Sequence, residues 1–295
     1  MTRAVVFAYH NVGVRCLKVL LAHGVDVALV VTHEDNPHET IWFESVAETA
    51  AQYGIPAITP DSPNRPVTLA RIEDCRPDFL FSFYYRLMIN PALLHAAPRG
   101  AYNMHGSLLP KYRGRVPVNW AVLHGERETG ATLHRMVEKP DAGEIVAQQA
   151  VPILPDDTAF EVFGKVTLAA EMALDRALPQ LIAGTAPHVM PELKAGSYFG
   201  GRKAEDGRID WTQSAQEIHN LVRAVAPPYP GAFFDLPDGR RLRLLRTLLA
   251  ATPPRFAAPT LYRDGDAVLA DCADGRVLRV LAWDGDWDGA TLPLH

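Results

Sequence analysis

The stretch AVVFAYHNVGVRCLKVLLAHGVDVALVVTH, Ala4 to His33, decides how the chain begins to fold. Ala4 to Tyr9 is a short apolar, β-rich run of the kind buried on both faces of a parallel sheet. Val14, Leu17, Leu20 and Leu21 then recur at helical spacing, and Gly24 is a natural helix terminator. A second β-rich run opens at Val25. Strand, helix and strand in this order predict a βαβ unit.

The alternation continues outward. ETIWFESVAETAAQYG (39–54) reads as a helix, IPAIT as a short strand, VTLARIEDC as a helix and DFLFSF as a strand. LMINPALLHAA (87–97) reads as helical, AYNMH as a strand and VNWAVLHG as a helix. Repeated strand–helix order predicts an α/β fold with a mostly parallel sheet and helices on both faces. In such sheets ligands bind beyond the carboxyl ends of the strands.

From Thr129 the pattern changes. TGATLHRMV and EIVAQQAVPI are strand-like and separated only by EKPDAG, which predicts a hairpin. A long helix follows, Ala159 to Ile182. Pro and Gly content then rises and periodicity fades, so the expected organisation is a first domain over 1–187, a linker over 188–205 and a second domain over 206–295. In the last part, one helix from Gln213 to Ala226 precedes GAFFDL, RRLRLLRTLL, DAVLADC and RVLRVLAW, whose spacing predicts a small antiparallel barrel.

Composition excludes several classes. Apolar residues at 48% and charged residues at 21% are ordinary for a globular protein. The net charge of −5, with ten Lys or Arg against twelve Asp or Glu from Asp206 onward, argues against gripping a long polyanion such as a nucleic acid. Cys16, Cys75 and Cys272 show no CxxC spacing, which suits a reducing, cytoplasmic compartment. The amino-terminal apolar run is shorter than a signal-peptide core, and no stretch approaches ~18 uninterrupted apolar residues, so neither export nor membrane insertion is expected.

The chemistry concentrates in AYNMHGSLLPKYRGR, Ala101 to Arg115. On a strand, Asn103 and His105 share one face while Met104 points into the core. An imidazole without an orienting group is a weak acid–base catalyst, and the best candidate partner is Asp141, in the EKPDAG turn after the strand that carries His134. Its carboxylate would stabilise the imidazolium and fix the tautomer, while the Asn103 amide could hydrogen-bond an oxyanion. The alternative stays open that Asn103 caps a turn, His105 is a satisfied core histidine and Asp141 merely starts a turn. LLPKYRGR weighs against that alternative, because it gathers Lys111, Arg113, Arg115 and a tyrosine in a short segment expected to be exposed, which suits an anion or a glutamate-tailed ligand.

Other signals are weaker. DGDWDG (284–289) begins like a calcium loop, but its twelfth position is His295, where that loop needs a bidentate Glu, so no metal is expected. Gly13 alone falls short of a dinucleotide fingerprint. His10, His23, His33 and His38 lack metal-ligand register and read mostly as surface residues. SYFGGRK, Ser197 to Lys203, reads either as a flexible linker or as a segment suited to stacking on a base and pairing with phosphate.

NMHGSLLPKYRGRVPVNW and ETGATLHRMVEKPDAGEIVAQ strongly resemble the formyltransferases that use 10-formyltetrahydrofolate, the methionyl-tRNA formyltransferase-like family. Within it the chain looks most like the formyltransferase domain that acts on UDP-4-amino-4-deoxy-L-arabinose in lipid A modification and polymyxin resistance. The likeness runs from VVFAYH through FSFYYRLMI to SYFGGRK and HNLVRAVAPPYPGAF and weakens beyond about Asp235. It implies a Rossmann-like domain followed by an OB-like β-barrel. It also implies that His105 is the general acid–base, Asn103 the oxyanion stabiliser and Asp141 the support of the histidine. Folate contacts would fall on Leu87, Met88, Ile89, Arg115, Val137, Glu138, Lys139, Pro140 and Asp141. Sugar contacts would fall on Tyr198, Arg202 and Tyr229, in segments expected to set specificity. Pro140 stands where the related loop has a smaller residue, which stiffens it. The related enzyme also carries a decarboxylating dehydrogenase domain, so in that pathway a separate decarboxylase is expected. Methionyl-tRNA or another nucleotide-linked amino sugar is the alternative acceptor, and a non-catalytic folate-binding module is the reading from a different class.

Overall fold

A computed structural model describes residues 1–294; His295, the twelfth position of the calcium-loop comparison, lies outside the described residues. In chain order the elements are β1 (Arg3–Ala8), α1 (His10–Ala22), β2 (Asp26–Val31), α2 (Val46–Gln52), β3 (Ala57–Ile58), α3 (Pro66–Asp74), β4 (Phe79–Phe83), α4 (Pro91–His95), β5 (Ala101–His105), β6 (Arg113–Gly114), α5 (Pro117–Leu123), β7 (Glu128–Arg135), β8 (Ile145–Pro152), α6 (Ala159–Ala183) and β9 (Tyr198–Phe199). There follow α7 (Ala215–Ala224), β10 (Ala232–Asp235), β11 (Arg241–Ala250), β12 (Thr260–Asp264), β13 (Ala267–Asp271), β14 (Val277–Asp284) and β15 (Leu292–Pro293).

The chain divides into two compact units. The first holds Met1–Pro117, Thr129–Val151 and Gly164–Phe199. Its seven-stranded sheet has the order β3-β2-β1-β4-β5-β7-β8. The pairs β2–β3, β1–β2, β1–β4 and β4–β5 are parallel, and β5–β7 is antiparallel. Strand order therefore reverses between β1 and β4, the switch point at which such sheets open a crevice. Val5, Phe7, Leu29, Val31, Ile72 and Leu80 form a core cluster with Leu93, Ala97 and Ala101. Gly13 lies inside α1, where an added Cβ would stand 3.0 Å from Val46 and 3.1 Å from Ala8, so this glycine serves close packing rather than a phosphate loop.

The second unit holds Val118–Glu128, Pro152–Phe163 and the chain from Gly200 onward. Its antiparallel sheet, β10-β11-β14-β13-β12-β15, is a half-barrel where the short terminal runs predict a small antiparallel barrel. Ile218, Leu221 and Val222 of α7 join its core with Trp211, Phe234, Leu244 and Leu278. The expected boundaries at 187 and 205 follow chain order, whereas these units interleave. The reason lies in α7 and its flanks: Asn119 donates to the Ala224 carbonyl, Arg223 to the Asp157 carbonyl, and His219 Nε2 lies 3.2 Å from the Pro155 oxygen.

Three local expectations are corrected. The helix expected over 39–54 starts only at Val46, because Ser45 caps it by accepting from Glu48 N. The aromatic residues before that cap pack on His10, which stacks on Phe43 at 3.9 Å and meets Trp42 edge-on at 4.5 Å. His10 is accordingly buried, not a surface residue. The helix expected over 87–97 shrinks to α4, because Asn90 caps it and Pro91 fixes its first turn, leaving Leu87 to Ile89 in a loop. Among the described residues no helix is long and apolar enough to cross a membrane.

Candidate active site

β5 carries Asn103 and His105 on one face, as the two-residue alternation requires, while Met104 is buried. β4 lies parallel on one side of β5, and β7 lies antiparallel on the other, setting Asn103 opposite His134 and His105 opposite Thr132. Burial of all five β4 residues explains why this strand reads as an unbroken apolar run.

The imidazole of His105 is 6% exposed, so its partners decide its chemistry. Nε2 lies 2.7 Å from the Tyr112 carbonyl oxygen, which can only accept, so Nε2 carries a proton. Nδ1 faces Asp141 Oδ1 at 3.6 Å. In the neutral ring the lone pair therefore sits on Nδ1, and a proton gained there faces the carboxylate.

His134 completes the cluster. Its Nδ1 lies 3.0 Å from the Arg135 carbonyl oxygen and so donates to it. Its Nε2 lies 3.1 Å from Asn103 Nδ2 and 3.5 Å from Asp141 Oδ1. Neutral His134 thus accepts from Asn103, whereas protonated His134 would turn Nε2–H toward Asp141.

Asp141 adopts a left-handed backbone (φ 51°), and its Oδ2 accepts from the Gly114 N–H at 2.9 Å. Burial by itself would push its carboxyl up. The charges of His105 and His134 and the Gly114 N–H outweigh burial and hold it well below the usual carboxylate range.

The loop after β5 is tied down by polar side chains. Thr132 Oγ1 donates to the Ser107 carbonyl and accepts from Leu109 N and Gln148 Nε2. Ser107 Oγ donates to the Lys111 carbonyl at 2.6 Å. β6 then pairs in parallel with β9, setting Arg113 opposite Tyr198 and Gly114 opposite Phe199. Gly114 has φ +98°, and an added Cβ would collide with the Phe199 carbonyl, so the approach requires glycine.

A family described as formyl transferase matches residues 11–178, and its formyl transferase C-terminal domain matches 202–282. The chain belongs to the formyl transferase family.

Solved structures share the fold. An N-formyltransferase from Helicobacter canadensis in complex with folinic acid and dTDP-3-aminofucose aligns over 95% of this chain and 99% of its own, with 20% identity and a TM-score of 0.72. A sugar N-formyltransferase from a Shewanella species aligns over 85% and 99%, with 19% identity and a TM-score of 0.67. HypX from Aquifex aeolicus, in complex with tetrahydrofolic acid, aligns over 99% of this chain but 46% of its own, with 18% identity and a TM-score of 0.66.

In this formyltransferase the remaining expected contacts fall in several places. Leu87 and Met88 are exposed apolar side chains in the loop after β4, beside the half-buried Ile89. Asn64 clamps that loop by donating to the Met88 carbonyl and accepting from Asn90 N. Val137, Glu138 and Lys139 are exposed on the loop after β7, and Pro140 is half-buried next to Asp141. Arg115 is exposed, and its backbone N–H donates to the Phe199 carbonyl.

The three expected sugar contacts fall in different units. Tyr198 is an exposed ring in the first unit. In the second, Arg202 lies 4.7 Å from the Trp120 ring centre. Tyr229 packs against the second core, where burial pushes its hydroxyl up to about 12. Among the described residues no group of His, Cys, Asp and Glu is arranged to hold a metal ion.

Sequence reasoning passed over His134 as a site residue and treated Arg113 as an exposed cation. The signal for His134 was present: two residues after Thr132 on a strand beside β5, it falls on the face that Asn103 uses. Arg113 is instead buried, because the segment expected to be a free linker docks on it as β9.

Proposed function

We propose that this formyltransferase moves a formyl group from 10-formyltetrahydrofolate to the amino group of a nucleotide-linked amino sugar, with UDP-4-amino-4-deoxy-L-arabinose as the acceptor. That acceptor belongs to lipid A modification and polymyxin resistance. The observation that carries the proposal is the facing pair of His105 Nδ1 and the Asp141 carboxylate, with the Asn103 amide on the same strand face.

In this reading the neutral sugar amine attacks the formyl carbon and generates a tetrahedral oxyanion. Asn103 Nδ2 commits one N–H to His134 and keeps the other for that oxyanion. His105, protonated at Nδ1 against Asp141, gives that proton to the folate nitrogen as it leaves, and the neutral ring then takes the one released by the attacking amine. The exposed side chains of Leu87, Met88 and Val137 suit a flat pterin ring, and exposed Arg115 suits a folate carboxylate. Support for a sugar acceptor comes from the motif resemblance and from a relative that binds folinic acid with dTDP-3-aminofucose. The acidic charge balance argues against transfer RNA.

The test incubates the protein with 10-formyltetrahydrofolate and, in turn, UDP-4-amino-4-deoxy-L-arabinose, a dTDP-linked amino sugar and methionyl-tRNA, following tetrahydrofolate release and the mass of the formylated product. Formylation of the UDP-sugar is expected. Turnover only with methionyl-tRNA would overturn the proposal.

A further inference from the structure

Arg113 is 9% exposed, and among the described residues no carboxylate pairs with it. Its Nε is sealed from solvent and has no hydrogen-bond acceptor. The other strongly buried arginine, Arg223, donates to Asn220 and to the Asp157 carbonyl. Partly exposed Arg86 is held by Glu39 through two bonds of 2.6 and 2.7 Å. The Arg113 guanidinium lies over the face of Tyr198, with Cζ 5.8 Å from the ring centre, and that residue is 58% exposed. A guanidinium buried without a counter-charge is costly, and an apolar residue of similar length would fill the same space without that penalty.

Its position in the chain ties Arg113 to the site. The residue before it, Tyr112, offers the carbonyl that holds His105, and the residue after it, Gly114, offers the N–H that holds Asp141. We infer that Arg113 is the receptor for an oxyanion of a bound substrate, with Tyr198 forming one wall of the subsite. The inference rests on the proposed function, which supplies two such anions: the diphosphate of a nucleotide sugar and the glutamate carboxylates of the folate. Both fit the planar fork of a guanidinium. Occupancy would neutralise the buried charge and steady the strand segment that orients His105 and Asp141.

The test measures binding of UDP and, separately, of folinic acid to wild type, Arg113→Met and Arg113→Lys by calorimetry, with circular dichroism to verify folding. Loss of one charge-assisted contact is expected to weaken one ligand by about tenfold or more in the Met variant. The Lys variant is expected to recover part of that loss, which a purely structural role would not produce. Weakened UDP binding identifies the diphosphate, and weakened folinic acid binding identifies the folate tail. Unchanged binding of both ligands to a folded Met variant overturns the inference while leaving the proposed function standing. Failure of wild type to bind either ligand overturns both. Arg113→Gln replaces the Met variant if that protein does not fold.

Discussion

Asn103 Nδ2 and His134 Nε2 stand 3.1 Å apart across the β5–β7 ladder, so the amide of one candidate catalytic residue is oriented by an imidazole on the neighbouring strand. His134→Ala removes the acceptor and frees the amide to rotate. Misplacement of a positioned group costs on the order of 10²-fold in rate, and the expected loss in kcat is roughly 10- to 100-fold with little change in folate affinity. Steady-state kinetics beside a folate binding titration checks this. Equal losses in kcat and in folate affinity would contradict a positioning role.

Asp141→Asn removes the charge opposite His105. The Asp141 carboxyl is held below its ordinary value in the fold, so its stabilising contribution is present above the unfolded carboxylate pKa, ~3.9, and is lost as pH falls through the lower folded value. The variant is therefore expected to lose less stability than wild type on acidification below about pH 4, measured by denaturant unfolding at a series of pH values. Its kcat should fall more than its folate affinity.

Gly114→Ala puts a methyl group onto the Phe199 carbonyl at a left-handed position. Strain of this kind costs on the order of 1–3 kcal/mol. Relief requires β6 to part from β9, which withdraws the N–H that Asp141 accepts. A lower melting temperature together with reduced turnover is expected, whereas a fall in melting temperature with full activity would separate the strand pairing from the site.

His10 tests the crevice at the β1 end. Burial, followed by the charge of Arg86, lowers its pKa to about 3. Its folded value lies below the unfolded one, so stability is complete above about pH 6.5 and declines as pH falls from there toward 3. His10→Asn tolerates the left-handed backbone (φ 69°) and removes that titration. The variant should show a shallower loss of stability between pH 6.5 and 3 than wild type, by urea unfolding.

Much of this was legible in the sequence because it depends on local rules. Apolar β1 and β4 read as buried parallel strands, and the two-residue period put Asn103 and His105 on one face. Ser45 and Pro91 show where local rules competed: helix-compatible runs were cut short by a side-chain cap and a fixed φ. What stayed hidden depends on long-range pairing. His134 reaches Asn103 only through the register of β5 on β7. Arg113 is buried because residues 85 positions apart, Tyr112 and Ser197, bond across the neighbouring step of the β6–β9 pair. Interleaving of the two units likewise arises from contacts of α7 with segments far upstream, which composition along the chain does not report.

The central claim is that His105, held by Asp141, carries the proton in formyl transfer. The direct measurement is the rate of tetrahydrofolate release by His105→Ala at saturating 10-formyltetrahydrofolate and UDP-4-amino-4-deoxy-L-arabinose, in protein shown to fold and to bind folinic acid. Loss of a general acid–base is expected to reduce turnover by roughly 10²- to 10⁴-fold. Turnover within a few-fold of wild type would contradict the account.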